Sequence, residues 1–108
     1  QMFFDNAAYF DFVAKCRKQG IDIPILPGLK PLTTIGQLNS LPQNFHVNLP
    51  DELVDLIERA KSKEAVKEIG VEWCIRQAKE LKDAGVPGLH FYTMGKADPT
   101  AQIAKAVL

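Results

Sequence analysis

The chain of 108 residues sets thirteen basic side chains against thirteen acidic ones and is 46% hydrophobic and 24% charged. Those proportions exclude a disordered polypeptide, and no apolar run approaches the roughly 20 residues of a membrane-spanning helix. Zero formal charge leaves neither the basic excess nor the stripe that marks a nucleic-acid or anionic-lipid partner.

The opening Gln1-Met2-Phe3-Phe4 is apolar from the start and reads as a strand over residues 1–5, cut from something longer. Asp5-Asn6 then offers a cap for a helix over residues 7–19, in which Tyr9, Phe12, Val13 and Cys16 share one face. Lys15, Arg17 and Lys18 precede Gly20 as its end. A β-branched run over 22–26 predicts a second strand closed by Pro27-Gly28. After Pro31 a short helix is expected over 33–41, capped by Thr33 or Thr34 and stopped by Pro42. Residues 43–49 have no period, with His46 among them. Pro50 at the first helical position and Asp51-Glu52 behind it predict a helix carrying Leu53, Leu56, Ile57 and Ala60. A longer helix follows over 63–84, ended by Gly85, with Trp73 as a packing residue. Residues 88–93 form a third strand, and Asp98-Pro99 opens a last helix carrying Ile103, Ala104 and Val107.

Alternation of strand and helix requires parallel strands joined by right-handed crossovers, with helices outside. Three such strands alone leave two edges and a bare apolar face, whereas eight βα units of about 250 residues close into a barrel without edges. The expected fold is therefore α/β: the last three βα units of a (β/α)8 TIM barrel, residues 1–108 being a fragment of a larger domain. Cys16 and Cys74 lack any metal-ligand or CxxC spacing. They read as buried thiols of a reducing, cytoplasmic compartment.

In such a barrel chemistry sits at the carboxyl ends of the strands. That selects Asp5 and Asn6, the loop and helix over 27–37, and residues 92–98. Gln1 joins them if its side chain enters the mouth. Asp5 reads first as a helix cap. His90, inside a strand without an acidic or nucleophilic neighbour in a motif, reads as a hydrogen-bonded structural residue. No catalytic triad, P-loop, HExxH or GxGxxG is present, so spacing alone names no reaction.

Three stretches in order go further: Gln1-Met2-Phe3-Phe4-Asp5 with Tyr9, Gly20-Ile21-Asp22-Ile23-Pro24-Ile25-Leu26-Pro27-Gly28-Leu29-Lys30-Pro31, and Gly88-Leu89-His90-Phe91-Tyr92-Thr93-Met94. Together they resemble the C-terminal part of flavin-dependent, bacterial-type methylenetetrahydrofolate reductase, in register across the chain. The resemblance implies a barrel oxidoreductase holding FAD. There NADH or NADPH reduces the flavin, and the flavin passes hydride to 5,10-methylenetetrahydrofolate to give 5-methyltetrahydrofolate, within one-carbon metabolism and methionine biosynthesis. It implies a folate-side segment without catalytic, flavin-binding or metal residues of its own, inactive alone, in a protein that is often a homo-oligomer.

The same resemblance places Gln1 against the pterin, where an amide supplies both donor and acceptor, and Gln37 as a second substrate-contacting glutamine. Tyr92 would line the site shared by folate and nicotinamide. Lys96 stands where relatives can carry an arginine, keeping the charge but losing the two-pronged donor. Leu41 stands where they can carry a phenylalanine, keeping an apolar wall without stacking. A small α/β binding or assembly module that hides its sheet by self-association is the competing expectation, and a barrel enzyme acting on another pterin is a third.

Overall fold

The structure, a computed structural model, describes residues 2–92 and 98–108. Its elements among those residues are α1 (Asn6–Lys18), β1 (Gly28–Leu29), α2 (Gln37–Phe45), α3 (Asp51–Glu58), α4 (Lys63–Asp83), β2 (His90–Phe91) and α5 (Asp98–Val107). All pairings are parallel: Met2 bridges Gly28, Gly28 faces His90, and Leu29 faces Phe91. The opening segment, β1 and β2 thus lie side by side in chain order, with β1 in the middle.

Short-range chemistry sets both ends of α1 and α4 and the start of α3. The Asp5 carboxylate accepts from Ala7 N at 3.0 Å, which is the capping role expected of it. Gly20, at φ 81°, closes α1 as Ile21 N donates to the Cys16 carbonyl. The Ser62 hydroxyl accepts from Ala65 N to start α4, and Gly85, also at φ 81°, ends it. Pro50 occupies the cap position of α3, one residue earlier than expected, with Asp51 and Glu52 in the first turn.

Among the described residues the strand expected over 1–5 forms only the bridge from Met2 to Gly28, and two further element positions need correction. The run over 22–26 forms no strand; the ladder lies later, at Gly28–Leu29. Proline interrupts the run at 24 and 27, removing N–H donors that a ladder needs. Its carbonyls are taken instead by side chains of α1: Arg17 donates to Ile21 O and Ile23 O, and the Tyr9 hydroxyl to Ile25 O at 2.7 Å. The second correction is Pro42, which sits inside α2 instead of ending it. The helix gives up one backbone bond there and continues because Leu41 and Phe45, one turn apart, both pack into the core.

The core has two parts. Met2, Phe4, Leu32, Leu41, Leu53 and Ile57 pack together in one cluster, and Leu29, Cys74, Ala78, Leu81, Ile103 and Val107 in another. The side chains of α4 join them, and Gly70 lets that helix touch the backbone: a Cβ there would stand 1.5 Å from the Leu32 carbonyl oxygen. Trp73 does more than pack, because its indole N–H donates to the Phe4 carbonyl at 2.8 Å. Asn6 and Gln77 clamp the same junction. Asn6 Nδ2 donates to the Gln77 carbonyl and Glu80 Oε1, and Gln77 Nε2 to Asn6 Oδ1 and the Phe3 carbonyl. On α1, Phe12 is 56% exposed and does not share the covered face with Tyr9. Leu56 on α3 is likewise exposed.

Both cysteines are free, Cys74 buried and Cys16 half-buried, so only the first is the buried thiol expected. Burial pushes the Cys74 thiol up to about 12 from 9.0, against a smaller opposing pull from Lys30. The fold therefore holds the neutral thiol while the unfolded chain ionises near its ordinary value. Stability is untouched below that value and is expected to fall by about 1.4 kcal/mol per pH unit between roughly pH 9 and 12. Urea midpoints across that window, compared with Cys74→Ala, check this: the variant loses the thiol's share of the slope.

Candidate functional site

The carboxyl ends of the parallel segments lead into the loop after β1, the start of α2 and Tyr92 after β2. Local sequence builds this region. Leaving β1, the chain runs through Pro31 to Thr33-Thr34, and α2 starts at Gln37. Neither threonine caps it. Instead Gln37 Oε1 reaches back to accept from Thr33 N at 2.7 Å and Thr34 N at 3.1 Å, holding the loop against the helix. The carbonyl half of the Gln37 amide is thereby engaged, and its Nε2 is the half left to donate outward.

Gln37 and Leu41 are one turn apart on α2, so they present to the same side. Tyr92 meets them there because its backbone N–H donates to the Leu29 carbonyl at 2.9 Å, extending the β1 ladder past β2. The three surround a cavity of about 260 Å³ completed by Lys30, Thr33, Ser40, Phe45 and Thr100 among others. Three residues singled out from the sequence thus converge on one place. Gln1 and Lys96 lie outside the described residues.

The cavity is amphipathic. Leu41 and Phe45 supply apolar surface; Gln37, Ser40, Thr33 and Tyr92 supply hydrogen-bonding groups, and Lys30, only 9% exposed, supplies a cation. Thr100 Oγ1 is shielded and has no hydrogen-bond partner among the described residues. Such a mixture suits a flat heteroaromatic ring with polar edges. His90 lies in a strand as expected, is exposed, and meets Tyr92 edge-on, with ring centroids 4.8 Å apart. His46, at φ 55°, merely closes α2.

Phe45 is the wall residue that sequence reasoning missed. Its spacing of four from Leu41 was the available signal, hidden by the expectation that Pro42 ends the helix. Lys30 lies in the stretch over 27–37 already selected, whereas Thr100 carried no local signal, since α5 brings it to the cavity from a distant part of the chain. No described helix is long and apolar enough to cross a membrane.

Comparison with known proteins identifies the family. The family model for methylenetetrahydrofolate reductase matches residues 1–107. A protein of Caenorhabditis elegans named probable methylenetetrahydrofolate reductase (NADPH) is 31% identical over 109 residues, 99% of this chain and 16% of its own length. Methylenetetrahydrofolate reductase 1 of Schizosaccharomyces pombe is 35% identical over 95 residues, 87% of this chain and 16% of its own. The 5,10-methylenetetrahydrofolate reductase of Escherichia coli is 29% identical over 99 residues, 91% of this chain and 33% of its own. The chain therefore spans between 16% and 33% of the length of these relatives. With residues 1–107 of its 108 matched by the family model, this chain belongs to the methylenetetrahydrofolate reductase family.

Proposed function

We propose that the chain is the folate- and nicotinamide-side segment of a methylenetetrahydrofolate reductase, the last three βα units of a (β/α)8 barrel. The observation that carries this reading is the convergence of Gln37, Leu41 and Tyr92 on one cavity at the carboxyl ends of parallel strands, the place where barrel enzymes work. The family match over residues 1–107 supports the reaction: reduction of 5,10-methylenetetrahydrofolate to 5-methyltetrahydrofolate by NADH or NADPH, within one-carbon metabolism, in the cytoplasm.

The cavity of about 260 Å³ beside α2 falls below the roughly 300–1,000 Å³ of pockets that enclose cofactors and does not enclose a whole FAD; in this reading the flavin is held by other strands of the barrel. What these side chains do is orient. Gln37 Nε2 donates to an acceptor on a ring edge, Tyr92 and Leu41 bound the ring's face, and Gln1 and Lys96 complete the contacts to pterin and carboxylate. Fixing a ring in this way contributes to rate by holding the reacting centres in line.

Two assays test the reading. The full-length reductase is expected to oxidise NADH or NADPH with 5,10-methylenetetrahydrofolate as acceptor. The 108-residue chain, given stoichiometric FAD and menadione, is expected to oxidise neither, and turnover by that chain alone contradicts the segment role.

A further inference from the structure

Tyr92 rests on a residue that has no side chain. A Cβ built on Gly28 would stand 2.7 Å from Tyr92 Cε2 and 3.4 Å from both Cζ and Oη, well inside the roughly 3.5–4.0 Å at which carbon atoms pack. Gly28 is the centre of the sheet, flanked by Met2 on one side and His90 on the other, so it cannot move aside without disturbing both pairings. The Tyr92 backbone is pinned as well, through its N–H bond to the Leu29 carbonyl. One side of the ring is set by His90, whose imidazole meets it at 87°, an arrangement aromatic rings favour. With the backbones of both residues held, the phenol's depth in the cavity depends on the empty space above Gly28.

We propose that Gly28 is a positioning residue for substrate binding: by carrying no side chain it lets the Tyr92 phenol lie down on β1, which keeps the cavity beside Gln37 and Leu41 open to a flat ring. The proposal rests on the reading that this cavity receives the folate or nicotinamide ring. A methyl group at position 28 pushes the phenol into that space. The ring is the movable end of a side chain, so the protein answers by displacing it and not by unfolding.

The test is a double-mutant cycle in the full-length reductase. Gly28→Ala, Tyr92→Ala and the double variant are compared by calorimetric titration with 5-methyltetrahydrofolate and with NADH, and by KM and kcat. Gly28→Ala is expected to weaken binding of at least one ligand roughly tenfold, the scale of a misplaced contact group. In the Tyr92→Ala background the same change is expected to add less than about twofold, because the added methyl then meets no ring. Equal effects of Gly28→Ala with and without Tyr92 overturn the proposal, as does unchanged affinity in Gly28→Ala. If Tyr92→Ala alone leaves both affinities unchanged, the cavity reading falls first, and the proposal with it. Should Gly28→Ala fail to fold while the double variant folds, a wild-type affinity in the double variant also overturns it, since Gly28 then serves stability only.

Discussion

Gly70→Ala is expected to be strongly destabilising, costing about 3 kcal/mol or more. Alanine is normally the better helix residue, by roughly 1 kcal/mol over glycine, so propensity predicts the opposite sign. Contact decides against propensity here. The added carbon would lie 1.5 Å from the Leu32 carbonyl oxygen and 2.6 Å from its carbonyl carbon. Both are backbone atoms, fixed in the loop between β1 and α2, and no rotamer change relieves them. The helix α4 must therefore withdraw from that loop, opening the packing of Leu32 against Leu41, Leu53 and Val66. Equilibrium urea unfolding of wild type and variant reads this as a large fall in midpoint, and a variant as stable as wild type contradicts the close approach.

Leu81→Ala is expected to cost about 2–5 kcal/mol by the usual transfer and cavity terms. Leu81 is fully buried near the end of α4, in the part of the core shared with Leu29, Ile103 and Val107. The neighbouring Lys82 holds the end of α5 through its bond to the Val107 carbonyl at 2.8 Å. That tie limits how far α5 can collapse into the space left behind, which favours the upper half of the range. The denaturation slope is expected to stay the same while the midpoint falls; a loss below about 1 kcal/mol means that the site closes fully.

Much of the fold was legible because helix ends are local. Asp5, Gly20, Ser62 and Gly85 act through atoms two to five residues away, so α1 and α4 fell within a residue or two of their predicted bounds. The second strand was misplaced because β-branched composition marks a surface that fits a sheet, not the place where pairing occurs. Ile23 is 66% exposed, and the actual ladder was chosen by partners sixty residues away in sequence, His90 and Phe91. Pro42 misled for a similar reason: burial of Leu41 and Phe45 outweighed a local break. In the site, Gln37 and Leu41 came from the family resemblance and not from spacing, while Tyr92 was also marked by its place at a strand end. The empty spaces at Gly28 and Gly70 had no signature, since a sequence does not say what an absent side chain would have met.

A crystal structure of the full-length protein with 5-methyltetrahydrofolate bound is the decisive measurement. The pterin is expected in the cavity beside α2, with Gln37 Nε2 within hydrogen-bonding distance of a ring acceptor and the ring touching Tyr92 and Leu41. A pterin bound elsewhere in the protein, with these three side chains untouched, contradicts the folate-side role.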